Sequence, residues 1–386
     1  MTVSDDHSIF FNQSTTPLSP LADTSSVQTF HQQLRSYEPT PLVPLEGVAK
    51  ELGVRSVFLK DEGNRLGLPS FKILGASWGT YRALASRLGL PRDSPLADVS
   101  RAARQRGIVL FAATEGNHGR AVAAMARILN LPAHIYVPST VNGADVRLIR
   151  EEGAKVILTG SHYDDAIAEA FSASKSTDGG LLVQDNSFEG YEQIPAWIVE
   201  GYSTLLTEVG QQLSEQGLDS TLIVSPVGVG SLAHAVVSYC KAEGRQKCRV
   251  MSVEPDTAPC LHQSLRSGQP VPIRASETAT IMDGLNCGTV SKEAFGDLRA
   301  GVDVSVVVSD IEAHQAVMFL EDVGVRIGPC GAATLAGLWK LGAAEVAQPR
   351  GFLSEDAVVV LLGTEGQRKY RVPVRHEDVS AAATEI

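Results

Sequence analysis

Lys72 sits in the stretch Ser70–Ser77, SFKILGAS, between Phe71 and Ile73 and ahead of three small residues, Gly75, Ala76 and Ser77. A lysine at the opening of a helix is usually a solvated charge. A desolvated lysine is different: its pKa falls, and it can form a Schiff base with a carbonyl. Here the turn-rich run KDEGNRLGLP leads into the helix, and the small residues would admit another group at close range.

Five further stretches have residue types that could serve such a lysine. In Ala113–Leu129, ATEGNHGRAVAAMARIL, a strand turns into a helix through Gly116, Asn117, His118 and Gly119. Glycines allow a ligand close to the backbone, helix-terminal N–H groups favour an anion, and Asn117 both donates and accepts. His118 by itself reads as structural. In SPVGVGSLAHAV, Ser225–Val236, Gly228, Val229, Gly230 and Ser231 follow a strand and open a helix. Their successive N–H groups would form a phosphate nest. Position 233 is Ala, so the third glycine of GxGxxG is missing, and there is no GKS or GKT; neither a dinucleotide fingerprint nor a P-loop is supported. In VQDNSFEGYEQIPAWIVEGYSTLL, Val183–Leu206, Asp185 stands at a strand's carboxyl end. Finally, GPCGAATLAGL (Gly328–Leu338) and VVVLLGTEGQ (Val358–Gln367) place small residues where a flat ring could lie, and Thr364 could bond a ring nitrogen.

Each of these, alone, also reads as an ordinary βα turn or a helix cap. Together they supply a Schiff-base lysine, an Asn-bearing turn, a phosphate nest and a hydroxyl for a ring nitrogen. That set matches pyridoxal 5′-phosphate (PLP), which carries an aldehyde, a phosphate, a phenolic oxygen and a pyridine nitrogen.

The elements that must position these residues alternate from residue 40 onward. Strands are predicted at 57–60, 108–113, 133–137, 156–159, 181–184, 222–225, 250–253, 304–308 and 358–362. Helices are predicted at 70–88, 117–130, 143–152, 164–175, 190–216, 231–243, 311–323 and 331–342. Gly153 and Gly244 fit helix C-caps. The alternation predicts an α/β fold with a parallel sheet and helices on both faces, and the mostly apolar strands suit burial on both sides. Ligands then bind at the carboxyl ends of strands, which is where the loops above fall.

Composition narrows the function classes. The 386 residues carry 33 basic and 44 acidic side chains, a net charge of −11, which disfavours nucleic acid or an anionic membrane as partner. Apolar runs are too short to span a bilayer. Five cysteines, with no CxxC pair and no zinc spacing, point to no metal site and to a reducing compartment; the N-terminus MTVSDDHSIFF lacks a basic leader, so the cytoplasm is expected. Residues 1–28 are rich in Ser and Thr and read as a flexible tail with a short extended segment at Ile9–Phe11.

The order SFK, GNHG, Gly loop, late Thr resembles the fold-type II PLP enzymes, the tryptophan synthase β-like fold of two open, twisted, mostly parallel sheets flanked by helices. More closely, the chain resembles the diaminopropionate ammonia-lyase family in KDEGNRLGLPSFKILGAS, in TEGNHGR, in QDNSFEGYEQIPAWIVEGY, and in VEPD…ATIMDGLNCG between Val253 and Gly288. The resemblance runs from about Tyr37 to Arg371. It implies a large PLP-binding domain of 29–84 and 189–386, a small mobile domain of 85–188, and a homodimer.

It also implies roles. Lys72 would hold PLP, Asn117 would contact the phenolic oxygen, and Gly228, Val229, Gly230 and Ser231 would bind the phosphate. Thr364 would face the pyridine nitrogen, with Cys330 as a cofactor neighbour. Lys72 or Asp185 would take the Cα proton of one substrate enantiomer and Glu115 that of the other. Five positions, in three places, depart from the family. Glu115 replaces the usual Asp and lengthens the side chain by one C–C bond, roughly 1.5 Å. Asn186, Ser187 and Phe188 replace Thr-Ala-Trp, and Cys330 stands where Ser is commoner. The implied activity is α,β-elimination from 2,3-diaminopropionate, an amino acid substrate, to pyruvate and ammonia. The departures keep open a serine/threonine-type dehydratase or a β-replacement synthase.

Overall fold

The computed structural model describes residues 8–374, apart from 14, 17, 19–23, 161, 243–247 and 274–279. Its strands are β1 (Ile9–Phe11), β2 (Leu42–Pro44), β3 (Ser56–Asp61), β4 (Val109–Ala113), β5 (Ala133–Pro138), β6 (Lys155–Thr159), β7 (Gly180–Leu182), β8 (Leu222–Pro226), β9 (Arg249–Pro255), β10 (Val304–Val308) and β11 (Val358–Gly363). Two sheets result. The larger has the order β1-β10-β9-β8-β11-β3-β2, the smaller β6-β5-β4-β7. All pairings are parallel except at the two edges of the larger sheet, where β1 and β2 run antiparallel. The mixed α/β fold with mostly parallel sheets is the one expected.

The chain divides into two compact units. One comprises Met1–Pro20, Thr40–Asn64 and Glu208–Ile386, and the other Leu21–Pro39 and Arg65–Thr207. The first unit's core is the interior of the larger sheet and its covering helices: Leu59, Val224, Val253, Val306 and Leu361 are fully or almost fully buried. Strands enclosed on both faces need no polar alternation, which is why their sequences are near-continuous Val and Leu. In the second unit, Phe111, Ala113 and Leu182 of the smaller sheet pack on Ala166 and Ala170 of the helix Tyr163–Ser176.

Some elements depart from expectation. The helix predicted over 190–216 begins only at Gln193 and is interrupted at Tyr202, giving Gln193–Gly201 and Ser203–Ser214. A tight turn precedes it: Phe188 and Tyr191 bridge, and Gly190 takes a positive φ of 78° that an L side chain resists. Within 1–28, Ile9–Phe11 is indeed extended and pairs with β10, and a helix Thr24–Gln32 starts inside the stretch. The rest of that stretch at 1–7, 14, 17 and 19–23, the cap at Gly244, and residues 274–279 of the Val253–Gly288 stretch lie outside the described residues.

Candidate active site

Lys72 is the first residue of the helix Lys72–Leu88. Its Nζ donates to Asp185 Oδ2 at 2.7 Å. The lysine side chain remains 22% exposed, whereas that of Asp185 is 7% exposed. Burial alone would push the Asp185 carboxyl up; the electrostatic influence of His118 and of Lys72, with the Lys72 hydrogen bond, outweighs it and holds the group at about 2. His118 is itself buried, and burial lowers its pKa more than the neighbouring Asp185 raises it, with Lys72 pushing the same way as burial. Asp185 is therefore ionised at neutral pH, with Lys72 and His118 both beside its Oδ2.

Small residues bring the Lys72 helix and the QD motif together. A Cβ on Gly75 would lie 2.6 Å from Tyr202 Cε1 and 2.7 Å from Ile198 Cγ2, and one on Gly79 would lie 2.6 Å from Ile198 Cγ1. From the other side, a Cβ on Gly201 would lie 2.6 Å from the Leu74 carbonyl oxygen. The group that the small residues after Lys72 admit is therefore the helix Gln193–Gly201 and the Tyr202 ring, which also packs on Phe71 at 4.8 Å between centroids. The Tyr202 hydroxyl is buried with no hydrogen-bond partner among the described residues.

The turn after β4 is tied by Thr114, whose Oγ1 accepts from the N–H of Gly116 and of Gly119, both at 2.9 Å. Gly119 is required there, because a Cβ would lie 2.3 Å from Thr114 Cγ2. Asn117 opens the helix Asn117–Leu129 and is half-buried, and Glu115 is exposed. His118, one residue into that helix, reaches the Val183 carbonyl oxygen with Nε2 at 3.0 Å and Asp185 Oδ2 with Nδ1 at 3.6 Å. The structure thus brings Lys72, Asp185 and His118 together, with Glu115 exposed.

The loop bearing Asp185 is fixed by its neighbours. Gln184 Oε1 accepts from Ala113 N–H at 2.9 Å, and its Nε2 donates to Tyr163 Oη at 2.8 Å and Asn186 Oδ1 at 3.0 Å. Tyr191 Oη donates to the Leu182 carbonyl and accepts from Gln184 N–H, both at 2.9 Å. Phe188 stacks on Tyr191 at 4.8 Å and meets Phe171 edge-on at 5.3 Å, so its ring joins the core of the smaller sheet.

In the other unit β8 and β11 are neighbours, paired Leu222 to Val359, so the loops that follow them open at the same sheet end. Gly230 has a φ of 99°, which turns the chain into the helix Ser231–Cys240. That helix's first internal bond is His234 N–H to Gly230 O, so the preceding N–H groups have no intrahelical acceptor. A Cβ on Gly228 would lie 2.9 Å from the Gly284 carbonyl oxygen, and one on Gly284 would lie 3.4 Å from Cys330 Sγ. Thr364 directly follows β11 and is buried. Gly228, Gly284, Cys330 and Thr364 thus belong to one end of this sheet. Burial pushes the Cys330 thiol well up, with Glu365 adding to it, so it is neutral.

Two groups at these sites were not singled out from the sequence. Tyr202 closes over Phe71 behind Lys72; its place in the EGY repeat of the QD motif was the available signal. Glu365 Oε1 accepts from Cys330 N–H at 3.1 Å and from Arg368 Nε at 3.2 Å, fixing the turn that carries Thr364; nothing in the spacing marks it.

A family model described as pyridoxal-phosphate dependent enzyme matches residues 34–364. Diaminopropionate ammonia-lyase of Escherichia coli (strain K12) is 33% identical over 369 residues, covering 92% of each chain. The enzyme of that name from Salmonella typhimurium (strain LT2) is 35% identical over 299 residues, covering 75% of this chain and 74% of that one. The fold is similar to the crystal structure of the Escherichia coli diaminopropionate ammonia-lyase in complex with an aminoacrylate-PLP azomethine reaction intermediate, with a TM-score of 0.84, 30% identity and 93% of each chain covered. With these matches across the whole motif set, the chain belongs to the pyridoxal-phosphate dependent enzymes and, within them, to the diaminopropionate ammonia-lyase family.

Proposed function

We propose that this enzyme eliminates ammonia from 2,3-diaminopropionate, giving pyruvate and a second ammonia. The observation that carries the reading is the contact between Lys72 Nζ and Asp185 Oδ2 at 2.7 Å, an accessible amine held by a buried, ionised carboxylate. The available groups fit PLP. Lys72 offers a primary amine to an aldehyde. The left-handed turn at Gly230 and the helix start at Ser231 offer N–H donors to a phosphate dianion. Thr364 offers a hydroxyl to a neutral pyridine nitrogen, Asn117 a side-chain amide to the phenolic oxygen, and Cys330 a neutral thiol beside the Gly loop.

When bound, the pyridoxal ring supplies a sink for the electron pair left at the substrate Cα. The residues do the rest. Lys72 Nζ, as a free amine, removes the Cα proton of one enantiomer, or Asp185 does so. Glu115 takes that of the other. Asp185, ionised before the reaction, can accept a proton and return it to the departing β-amino group, whose Cβ–N bond breaks with the electron pair left on nitrogen. The enamine product hydrolyses to pyruvate. We propose further that the enzyme is a cytoplasmic homodimer; the family resemblance supports the dimer, and five free thiols fit a reducing compartment.

Elimination of water from serine or threonine, or β-replacement, is a second reading. It is favoured by Asn186, which sits in a hydrogen-bonded group with Gln184 and Tyr163 where the family usually has Thr. Incubating the enzyme with each diaminopropionate enantiomer, serine, threonine and O-acetylserine and measuring keto acid decides between them. Turnover of serine or O-acetylserine with none of either diaminopropionate would reject the first reading.

A further inference from the structure

His118 has its tautomer set from outside the Lys72–Asp185 pair. The Val183 carbonyl oxygen, 3.0 Å from Nε2, can only accept, so Nε2 carries the hydrogen. In the neutral ring Nδ1 then presents a lone pair. That atom is buried, has no hydrogen-bond partner among the described residues, and faces Asp185 Oδ2 at 3.6 Å. Two buried acceptors therefore confront each other, an arrangement that costs free energy unless a proton comes between them. With Lys72 protonated, its ammonium on the same Oδ2 offsets the conflict. The other titratable groups here, the Tyr191 and Tyr202 phenols, are kept neutral by burial and supply no countercharge.

We propose that His118 Nδ1 is the acceptor for the proton that Asp185 takes up during the reaction, so that the two side chains hold one proton between them until the β-amino group leaves. This rests on the elimination reading above. The balance is simple. A proton reaches Asp185 as the Cα–H bond breaks, directly or through Lys72. The new O–H then donates to Nδ1. Later the O–H bond breaks and an N–H bond forms on the departing amine as the Cβ–N pair moves to nitrogen. His118 acts through Asp185 and is a positioning residue: it makes the protonated carboxyl stable enough to be held and keeps it aimed.

The test pairs the wild-type holoenzyme, labelled with nitrogen-15 in histidine, with the variant His118→Gln, whose amide can still donate to Val183 but cannot titrate. One imidazole resonance pair, missing from the variant, is expected to show hydrogen on Nε2 and a bare Nδ1 at neutral pH. With whichever amino acid the wild type eliminates, the variant is expected to keep KM within a few-fold while kcat falls about 100-fold or more. The alkaline limb of its kcat profile should move to lower pH, because a protonated Asp185 without its acceptor gives up its proton more readily. Hydrogen on Nδ1 with a bare Nε2, or a variant with wild-type kcat and pH profile, overturns the proposal. If the variant does not fold, the wild-type imidazole spectrum decides alone. Failure of diaminopropionate as a substrate rejects the reading above and leaves the spectrum and the profile on another amino acid to judge His118.

Discussion

Lys72 Nζ and Asp185 Oδ2 lie 2.7 Å apart although 113 residues separate them in the chain. Neither residue is placed by its own segment. Lys72 is where it is because its helix crosses Gln193–Gly201 at glycine-to-backbone distance, and Asp185 because Gln184 and Tyr191 lace its loop to β4 and β7. Replacing Lys72 with Ala removes the amine and leaves that scaffold intact. Lys72→Ala is expected to lose the visible absorbance of lysine-bound PLP and all turnover while its far-ultraviolet circular dichroism stays that of the wild type. A variant keeping the absorbance would move the attachment to another lysine.

Asp185→Asn keeps the size and an acceptor for Lys72 but cannot take up a proton. Its kcat should fall by about 100- to 10,000-fold, the range for a positioned proton-transfer group, with the PLP absorbance retained. Steady-state kinetics beside an absorbance spectrum checks both halves, and unchanged kcat would remove Asp185 from the chemistry.

Gly75→Ala sets two effects against each other. Alanine in a helix interior gains about 1 kcal/mol over glycine. The added Cβ would meet Tyr202 and Ile198 at 2.6 and 2.7 Å, and overpacking of a buried contact costs about 1–3 kcal/mol. Because Gly201 and Leu74 leave the helices no room to part cheaply, the cost should win, with urea unfolding showing net destabilisation. A stabilised variant would mean that the crossing yields more readily than these distances imply.

Much of this was legible in the sequence, and two of the exceptions share a cause. The parallel strands announce themselves because burial on both faces demands runs such as Val358–Leu362. The helix Thr24–Gln32 was missed because tertiary contacts hold it: Phe30 on Trp78 and Tyr81, and His31 bonded to Thr204 and the Leu74 carbonyl. The helix Cys260–Ser267 was missed because its first N–H groups are capped by the buried carboxyl group of Glu254, seven residues before Leu261. At the site, Lys72 and Asp185 could be picked out as motif residues. Their meeting, and the part of His118, could not, since both depend on which carbonyl or carboxylate the fold sets beside them.

Glu254 gives a pH prediction. Burial, against the pull of the Leu261 and His262 amides, pushes its carboxyl from the ordinary 4.5 up to about 8. The folded state then binds this proton more tightly than the unfolded chain. The resulting stability is full below pH 4.5 and is lost as pH rises through 8. Glu254→Gln should therefore show a flatter decline of Tm across that window than the wild type, and parallel Tm curves would place the raised pKa elsewhere.

If this enzyme splits both nitrogens from diaminopropionate, ammonia and pyruvate counted in the same reaction stand in a fixed ratio. Two ammonia molecules for each pyruvate are expected from at least one enantiomer. No pyruvate from either enantiomer, or one ammonia per pyruvate, would contradict this elimination.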